Sequence, residues 1–537
     1  MTRNILVFFI AFAGSVVAFA QDPVYTQSVN ETKATVVTIG SLASSATVNP
    51  MIYGQMLEDC NDAVVYGGVV DTEGNENQAV IEKLLPLRIP VMRWPAGTAI
   101  YDYEWWKGIG PKSERKAVKE IIWGGKEYYT FGTDEFIQWC RKIGTEPYIN
   151  ISMGKNNLIS ASLGEAVNWV EYVNGPTTSQ MGALRAANGH TEPYGVRLWC
   201  IGNENYLGTR DNIHPSETAE EYSSKLKLWA NTLKCVSPDL SLLGVGADSK
   251  WNRVVLDTAG DLLDYLTIHY YMTSKVKDNE LVDPSLSLFS AALVDESLKI
   301  QIADQKEYNK KAGRQNNPLR FSIDEWNNRH QVFDGKNFSF TRKDDRRQYD
   351  VPGAASMLNV FIRRSPYVAM ANYIFPVNGH GLLKTVGNDD AYKSCNYLVF
   401  DLYRQYLEGR AVGIDVCGPG IRGQRAGDLR IDGNWEYSIR DVALDLCYVD
   451  CAATVDDEGF LNISLVNRSY DSAQKVKLVL PDSYVVKDVF TVESEDVKAA
   501  NTASDREKVF IKSAKVKANT ITLKPCGLAV VRCAKQQ

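Results

Sequence analysis

Apolar segments alternate with amphipathic segments through residues 51–377. Each apolar segment has the length of a buried strand and ends at glycine, proline or a polar residue. Eight of them can be read from the sequence: residues 51–57, 89–94, 146–153, a segment starting at 196, 240–247, 262–271, 319–323 and 371–377. Eight alternating strand–helix units predict an α/β fold, a (β/α)8 TIM barrel with long loops, rather than an open sheet.

The segments between the strands show the period of helices. The clearest spans residues 215–236, where apolar side chains recur at spacings of three and four: Tyr222, Leu226, Trp229, Ala230 and Leu233. Such a stripe marks the face that a helix buries. A second helix is predicted to be capped by Thr133 and to end at Gly144.

The pattern changes beyond residue 406. Short apolar runs at 461–466, 475–480, 509–511 and 520–523 are separated by Asp, Ser, Gly and Asn. This spacing is typical of an antiparallel β-sandwich. Residues 34–40 have the same character, so we expect segment 21–47 to join that sandwich. The predicted domains are a catalytic barrel at 48–385 and a C-terminal β-sandwich at 390–537.

The first twenty residues have the organisation of a secretory signal peptide. Arg3 supplies the positive end, residues 5–13 are apolar, and Ala18-Phe19-Ala20 is a small-x-small cleavage site. We expect residues 1–20 to be removed and the mature chain to be exported to the periplasm or the exterior. No later run approaches the roughly 18 apolar residues of a membrane span.

The composition of the chain limits the classes of ligand that it is expected to bind. The net charge of −6 gives no basic field for nucleic acid, so a neutral or small-molecule ligand is favoured. The five histidines form no ligand pair on one helical face, and neither a metal nor a cofactor is expected. Ten cysteines are too sparse for a disulfide scaffold, although Cys447 could pair with Cys451, or Cys526 with Cys533.

Carboxylates stand at the ends of two predicted strands. Asn203 and Glu204 follow the fourth strand, and Glu325 follows the seventh. The carboxyl ends of parallel strands meet at one face of a barrel, and paired carboxylates cleave glycosidic bonds. Each could instead be a helix cap or a solvated charge. Three tryptophans could stack on sugar rings or pack in the core: Trp105, Trp106 and Trp326.

Several motifs resemble glycoside hydrolase family 51, the α-L-arabinofuranosidases, in the order that the family shows them. They include Gly202-Asn203-Glu204, Asp324-Glu325-Trp326-Asn327, the Tyr-Gly-Gln-Met-Leu-Glu run at 53–58, the Met-Arg-Trp-Pro-Ala-Gly run at 92–97, the Gly-Ile-Gly-Pro run at 108–111, the Phe-Gly-Thr-Asp-Glu-Phe run at 131–136, the Gly-His-Thr-Glu-Pro-Tyr run at 189–194, the Ile-His-Tyr-Tyr run at 268–271 and, in the predicted sandwich, the Leu-Val-Asn-Arg-Ser run at 465–469. The resemblance covers nearly the whole mature chain.

The resemblance implies a retaining mechanism with Glu204 as acid/base and Glu325 as nucleophile. It also places Glu58, Arg93, Asn203 and Tyr271 in the sugar subsite, with His269 beside them in a structural role. The implied substrate is an arabinose-containing poly- or oligosaccharide that loses terminal α-L-arabinofuranosyl groups.

Two positions depart from the family pattern. Thr98 stands where a sugar-binding Asn is usual, and Phe375, with Asn378 nearby, where a Gln is frequent. These changes affect the identity of the sugar but leave the carboxylate pair intact. The alternatives are an endo-β-glucanase or xylosidase on the same scaffold, and a carbohydrate-binding protein without turnover. The polymer, exo or endo action, and oligomeric state stay open.

Overall fold

Eight parallel strands close into a barrel in the computed structural model, which describes residues 23–42, 45–60, 62–154, 162–208 and 214–536. The strands are β1 Gly54–Met56, β2 Val91–Trp94, β3 Glu146–Ile151, β4 Leu198–Ile201, β5 Ser241–Val245, β6 Tyr265–Lys277, β7 Arg320–Phe333 and β8 Val368–Ile374. Asn372 of β8 pairs with Gly54 of β1, which completes the ring. The predicted TIM-barrel fold is confirmed, while the signal peptide predicted at 1–20 lies outside the described residues.

Helices follow the barrel strands. They span Gln78–Leu84, Thr133–Ile143, Leu163–Asn174, Gln180–Ala187, Ala219–Val236, Ser249–Ala259, Pro284–Leu288, Ser290–Lys311, Val351–Arg363 and Cys395–Tyr406. Across the described ranges, no helix combines the length and apolar character that crossing a bilayer requires. The last helix lies beyond the boundary predicted at 385–390 and contacts both the helix Val351–Arg363 and the strand Tyr484–Val492.

Helix starts differ from their predicted positions because other side chains supply the caps. Thr218 accepts a hydrogen bond from the amide of Glu221, so that helix begins at Ala219. The prediction that Thr133 caps its helix was wrong. The Thr133 hydroxyl accepts instead from Trp169 Nε1 at 3.1 Å, and the helix begins after Gly132.

The strands β6 and β7 continue past the rim of the barrel. They stay paired from Tyr265 beside Arg320 to Val276 beside Val332. The register shifts between Ile268 and His269, where Asp324 is the extra residue of a bulge on β7. The seventh strand was predicted to stop at residue 323. It continues because its neighbour β6 continues beside it, so Glu325 lies within a strand rather than after one.

Two sheets form the sandwich in the described part of the chain. One has the order Tyr25–Val29, Ile414–Gly418, Thr35–Ile39, Gln474–Val479 and Thr520–Leu523; the other runs Ile511–Ser513, Tyr484–Val492, Leu528–Lys535, Leu461–Asn467, Val449–Val455, Arg410–Val412 and Ser45–Thr47. Buried residues of both sheets share a second core, separate from the core of the barrel. Two pairings in the first sheet are parallel, and each joins a strand that precedes the barrel in sequence to one that follows it, so no hairpin connects the paired strands.

One segment of the sandwich reaches the barrel, and we call residues 420–447 the arm. Its ends, Gly420–Arg425 and Ala443–Cys447, pair with each other. Between them, the short strand Ile431–Gly433 pairs antiparallel with residues 270–272 of β6. The arm therefore delivers sandwich residues to the carboxyl-terminal face of the barrel.

All ten cysteines lie in the described ranges and carry free thiols. Neither suggested disulfide forms. Cys447 ends one strand, and Cys451 lies in the next strand beyond a bend at Tyr448. Cys526 lies in the turn before the strand Leu528–Lys535, and Cys533 lies near the far end of that strand. At about 3.3 Å per residue, the part of the strand from Leu528 to Cys533 alone exceeds the 4.4–6.8 Å between the α-carbons of a disulfide.

Candidate active site

Glu204 is delivered by a tight turn at the end of β4. Gly202 has φ of +95°, and a β-carbon there would lie 2.3 Å from Asn205 Oδ1. Glu204 itself has φ of +44°, a conformation that non-glycine residues seldom adopt and that clusters at functional sites. The turn holds Glu204 at the carboxyl-terminal mouth of the barrel.

Glu325 is buried and surrounded by donors. Arg93 Nη1 lies 2.6 Å from its Oε1, and Tyr271 OH donates to its Oε2. Burial alone raises the pKa of this carboxyl, but the charges of His269 and Arg93, with these hydrogen bonds, lower it below its usual range. These charges and hydrogen bonds therefore favour the ionised form of Glu325.

Neighbouring residues fix the positions of the Arg93 and Glu325 side chains. A β-carbon at Gly97 would lie 2.6 Å from Glu325 Oε1, so this glycine lets the backbone approach the carboxylate. Arg93 also contacts Asp324 Oδ2 at 2.9 Å and donates to Asn203 Oδ1 at 2.7 Å. The guanidinium thus joins both strand ends in one buried network.

His269 lies between the two carboxylates. Its Nδ1 is 2.9 Å from Glu204 Oε1 and 3.6 Å from Glu325 Oε2. Although burial lowers the pKa of His269, the negative charges of Glu325 and Glu204 raise it above its usual value. The sequence pointed only to a structural role, whereas the geometry puts this imidazole in contact with both carboxylates.

One oxygen of Glu204, one oxygen of Glu325 and a nitrogen of His269 all lie within 4.8 Å of one another. These atoms could approach one cation. However, both oxygens of Glu325 already accept hydrogen bonds, from Arg93 and Tyr271. The arrangement is better matched to two carboxylates acting on opposite sides of one bond.

Glu58 is a third carboxylate of the site. Its Oε1 accepts hydrogen bonds from the amides of Gly97 and Ala99, at 3.0 and 3.3 Å, and from Trp123 Nε1 at 3.0 Å. Burial, and then the charge of Glu325, raise its pKa. Asn203 Nδ2 is buried and meets no acceptor among the described residues. A buried donor without a partner is suited to a ligand hydroxyl.

These residues line a cavity of about 600 Å³. The lining comprises Glu58, Thr98, Trp123, Glu204, Tyr206, Leu207, Tyr271, Glu325, Asn327, Arg329, Arg342, Ile374, Phe375, His380, Asp432, Gly433 and Asn434. Arg93 and Asn203 are not in the lining, but Arg93 contacts both the lining residue Glu325 and Asn203. The structure therefore brings together all six residues that the sequence singled out.

Two domain models cover most of this chain. The α-L-arabinofuranosidase 1 domain matches residues 83–285, and the α-L-arabinofuranosidase C-terminal domain matches residues 324–526. A probable α-L-arabinofuranosidase C from Aspergillus clavatus is 30% identical over 486 residues, which cover 86% of this chain and 89% of that protein. The chain belongs to the α-L-arabinofuranosidases of glycoside hydrolase family 51.

Other α-L-arabinofuranosidases are similar over equal lengths. The intracellular exo-α-(1→5)-L-arabinofuranosidase 1 of Bacillus subtilis is 26% identical over 519 residues, covering 91% of this chain and 97% of that one. The solved α-L-arabinofuranosidase of Thermotoga maritima, in complex with arabinose, has a TM-score of 0.74 and 27% identity, covering 94% of this chain and all of that one. The predicted family is confirmed.

The structure decides between the two roles that the sequence left open for the tryptophans. Trp105 and Trp326 pack in the core, because Trp105 stacks on Trp169 and Trp326 packs among core aromatic rings. Trp106 is partly buried against the core and does not line the cavity. Trp123 lines it instead, and its position depends on tertiary contacts that no local pattern reports.

The two residues that depart from the family pattern, Thr98 and Phe375, both line the cavity. The nearby Asn378 does not line it, and its side-chain amide donates a hydrogen bond to the carbonyl of Ala63 at 2.6 Å. The polar contacts that an Asn and a Gln would offer at these two positions are therefore replaced by one hydroxyl and one phenyl ring.

Tyr271→Phe should weaken catalysis and shift its pH dependence. Its hydroxyl is a donor to the Glu325 carboxylate, and loss of such a charge-assisted bond should lower kcat/KM by about ten- to a hundredfold. Because the bond favours the ionised form, its removal should raise the pKa of Glu325 and move the acidic limb of the pH–rate profile to higher pH.

Tyr270→Phe is the matched control, since the Tyr270 hydroxyl donates a hydrogen bond to Gln301, and neither residue lines the cavity. An unmoved limb in Tyr271→Phe would contradict the role.

Proposed function

We propose that the protein is a retaining exo-glycosidase that hydrolyses terminal α-L-arabinofuranosyl groups from arabinose-containing poly- or oligosaccharides. The observation that carries the mechanism is the proximity of Glu204 and Glu325, whose oxygens approach within 4.8 Å. Retaining glycosidases hold their carboxyl groups about 5–5.5 Å apart, whereas inverting enzymes leave about 6.5–9.5 Å for a water molecule. The close pair supports double displacement.

In the first step, Glu325 attacks the anomeric carbon while Glu204 donates its proton to the leaving oxygen. The glycosidic bond breaks, and a glycosyl ester forms on Glu325. In the second step, Glu204 takes a proton from water, the water oxygen bonds to the anomeric carbon, and Glu325 leaves as a carboxylate. The net reaction consumes one water and regenerates both groups.

The surrounding residues have distinct roles in this proposal. Arg93 and Tyr271 hold Glu325 ionised and oriented for attack. Glu58 and Asn203, whose amide nitrogen has no acceptor among the described residues, are suited to bind hydroxyl groups of the furanose ring. His269 contacts both carboxylates and can hold them in position relative to each other.

A panel of aryl glycosides tests the function. We expect hydrolysis of the aryl α-L-arabinofuranoside with retained configuration, and much slower hydrolysis of aryl β-D-xylopyranoside and β-D-glucopyranoside. A preference for the xylopyranoside or the glucopyranoside would instead favour the alternative hypothesis of a xylosidase or a glucanase. Absence of turnover on every member would favour a binding protein.

We also propose that the enzyme is exported, on the basis of the signal organisation at residues 1–20. The Bacillus subtilis relative is named an intracellular enzyme, so the family does not decide the location. Amino-terminal sequencing of protein recovered from a native host should give a chain that starts near Gln21. Recovery of the intact amino terminus from the cytoplasm would refute export.

A further inference from the structure

Arg329 occupies the outer part of the same wall as Glu325. Side chains alternate along a strand, so Glu325, Asn327 and Arg329 share one face of β7, and all three line the cavity. Four residues of strand separate Arg329 from Glu325, about 13 Å at 3.3 Å per residue. The backbone of Arg329 therefore lies toward the mouth, the side on which the leaving-group part of a substrate would extend, and its guanidinium lies against the ring of Tyr271.

The charge of Arg329 is not neutralised by the protein. Arg93 pairs with Asp324 and Glu325, and Arg342 pairs with Asp62 at 3.2 Å. Within the described ranges, no acidic side chain forms an ion pair with Arg329. Asp432, which also lines the cavity, accepts a hydrogen bond from Thr273 at 3.1 Å.

Aromatic rings hold the Arg329 guanidinium in place. Its central carbon lies 3.2 Å from the ring centroid of Tyr271 and 5.5 Å from that of Phe340. Ring contacts use the flat face of a guanidinium and leave the N–H groups along its edge available. Arg329 is thus a half-buried cation whose position is fixed by ring contacts and whose N–H groups remain available to a ligand.

Phe340 adds a surface for a sugar ring. It lies on the strand Phe338–Thr341, which pairs with the outer end of β7, and it is 46% exposed. A sugar packed on this ring would lie beside the guanidinium edge. The planar fork of arginine matches the two oxygens of a carboxylate.

We propose that Arg329 binds the carboxylate of a uronic acid unit in the leaving-group part of the substrate. The enzyme would then favour arabinofuranosyl groups carried on acidic glycans over those on neutral ones. This specificity rests on the proposed function and deepens it.

The test uses two arabinofuranosyl oligosaccharides that differ only in one group, a free uronic acid or its methyl ester. The readout is the ratio of their kcat/KM values, in which any loss common to both substrates cancels. We expect the wild-type enzyme to favour the acid by about tenfold at low salt, since a charge-assisted hydrogen bond contributes that much. The ratio should fall toward one in high salt, and at a pH that protonates the uronic acid.

Arg329→Met should reduce the ratio to near one, and Arg329→Lys should keep part of it, because lysine retains the charge without the fork. Lys343→Met is the matched control. Lys343 is exposed, is close in sequence and does not line the cavity, so its loss should leave the ratio at the wild-type value.

A wild-type ratio near one would overturn the inference, as would a tenfold ratio that survives in Arg329→Met or disappears in Lys343→Met. The wild-type and Arg329→Lys measurements carry the test if Arg329→Met does not fold. Equal hydrolysis of acid and ester would refute the acid site alone. Failure to cleave acid, ester and aryl α-L-arabinofuranoside would refute the proposed function as well.

Discussion

Glu325→Ala should abolish hydrolysis of every arabinofuranoside, including aryl substrates with good leaving groups. The variant lacks the oxygen that bonds to the anomeric carbon, so leaving-group quality cannot compensate. Removal of a nucleophile typically costs about 10⁴-fold or more in kcat. The measurement is kcat on both an aryl arabinofuranoside and the natural glycan.

The product formed with azide identifies the lost group. In Glu325→Ala, azide can enter only from the face that Glu325 occupied, so any glycosyl azide should have inverted configuration. An unchanged thermal unfolding midpoint would show that the variant is folded. Retained configuration in that product, or activity within tenfold of wild type, would contradict the assignment of Glu325.

Glu204→Ala should separate substrates by their need for a proton. Natural glycans need leaving-group protonation and should lose about 10²- to 10⁴-fold, whereas the first step on an aryl substrate with a good leaving group should be slowed far less. The glycosyl-enzyme should then accumulate, because no base activates water. Azide should restore turnover and yield a glycosyl azide of retained configuration, which nuclear magnetic resonance can identify.

Asp432→Ala provides the matched control for this rescue. Asp432 is another carboxylate of the same cavity, but it contacts Thr273 rather than His269. Azide should not activate this variant. Inverted azide product from Glu204→Ala, or full activity of that variant on the natural glycan, would show that Glu204 is not the acid/base.

The strand ends that carry the carboxylates could be predicted from the sequence because their signals are local. An apolar run followed by Gly202 marks the end of β4, and a short apolar run precedes Asp324 and Glu325. Burial of the tryptophans could not be predicted in this way. A tryptophan in a short helical turn, such as Trp105, has the same local pattern whether it packs on Trp169 or faces a ligand.

Contacts between distant parts of the chain account for the rest of what sequence reasoning missed. The continuation of β7 to Phe333 depends on its pairing with β6, and Trp123 reaches Glu58 across 65 positions. Nothing in the sequence around Arg329 distinguishes it from the other arginines. It became a candidate only when the structure showed which arginines already have a carboxylate partner.

The arm contributes residues of the C-terminal domain to the active site of the barrel. Asn434 accepts a hydrogen bond from the backbone amide of His269 at 2.9 Å and donates one to Tyr206 at 2.8 Å. The imidazole between the two carboxylates is therefore held in part by the other domain. A barrel expressed alone would lose one wall of its cavity, and the accessory domain could alter substrate choice over evolution while every catalytic residue stays the same.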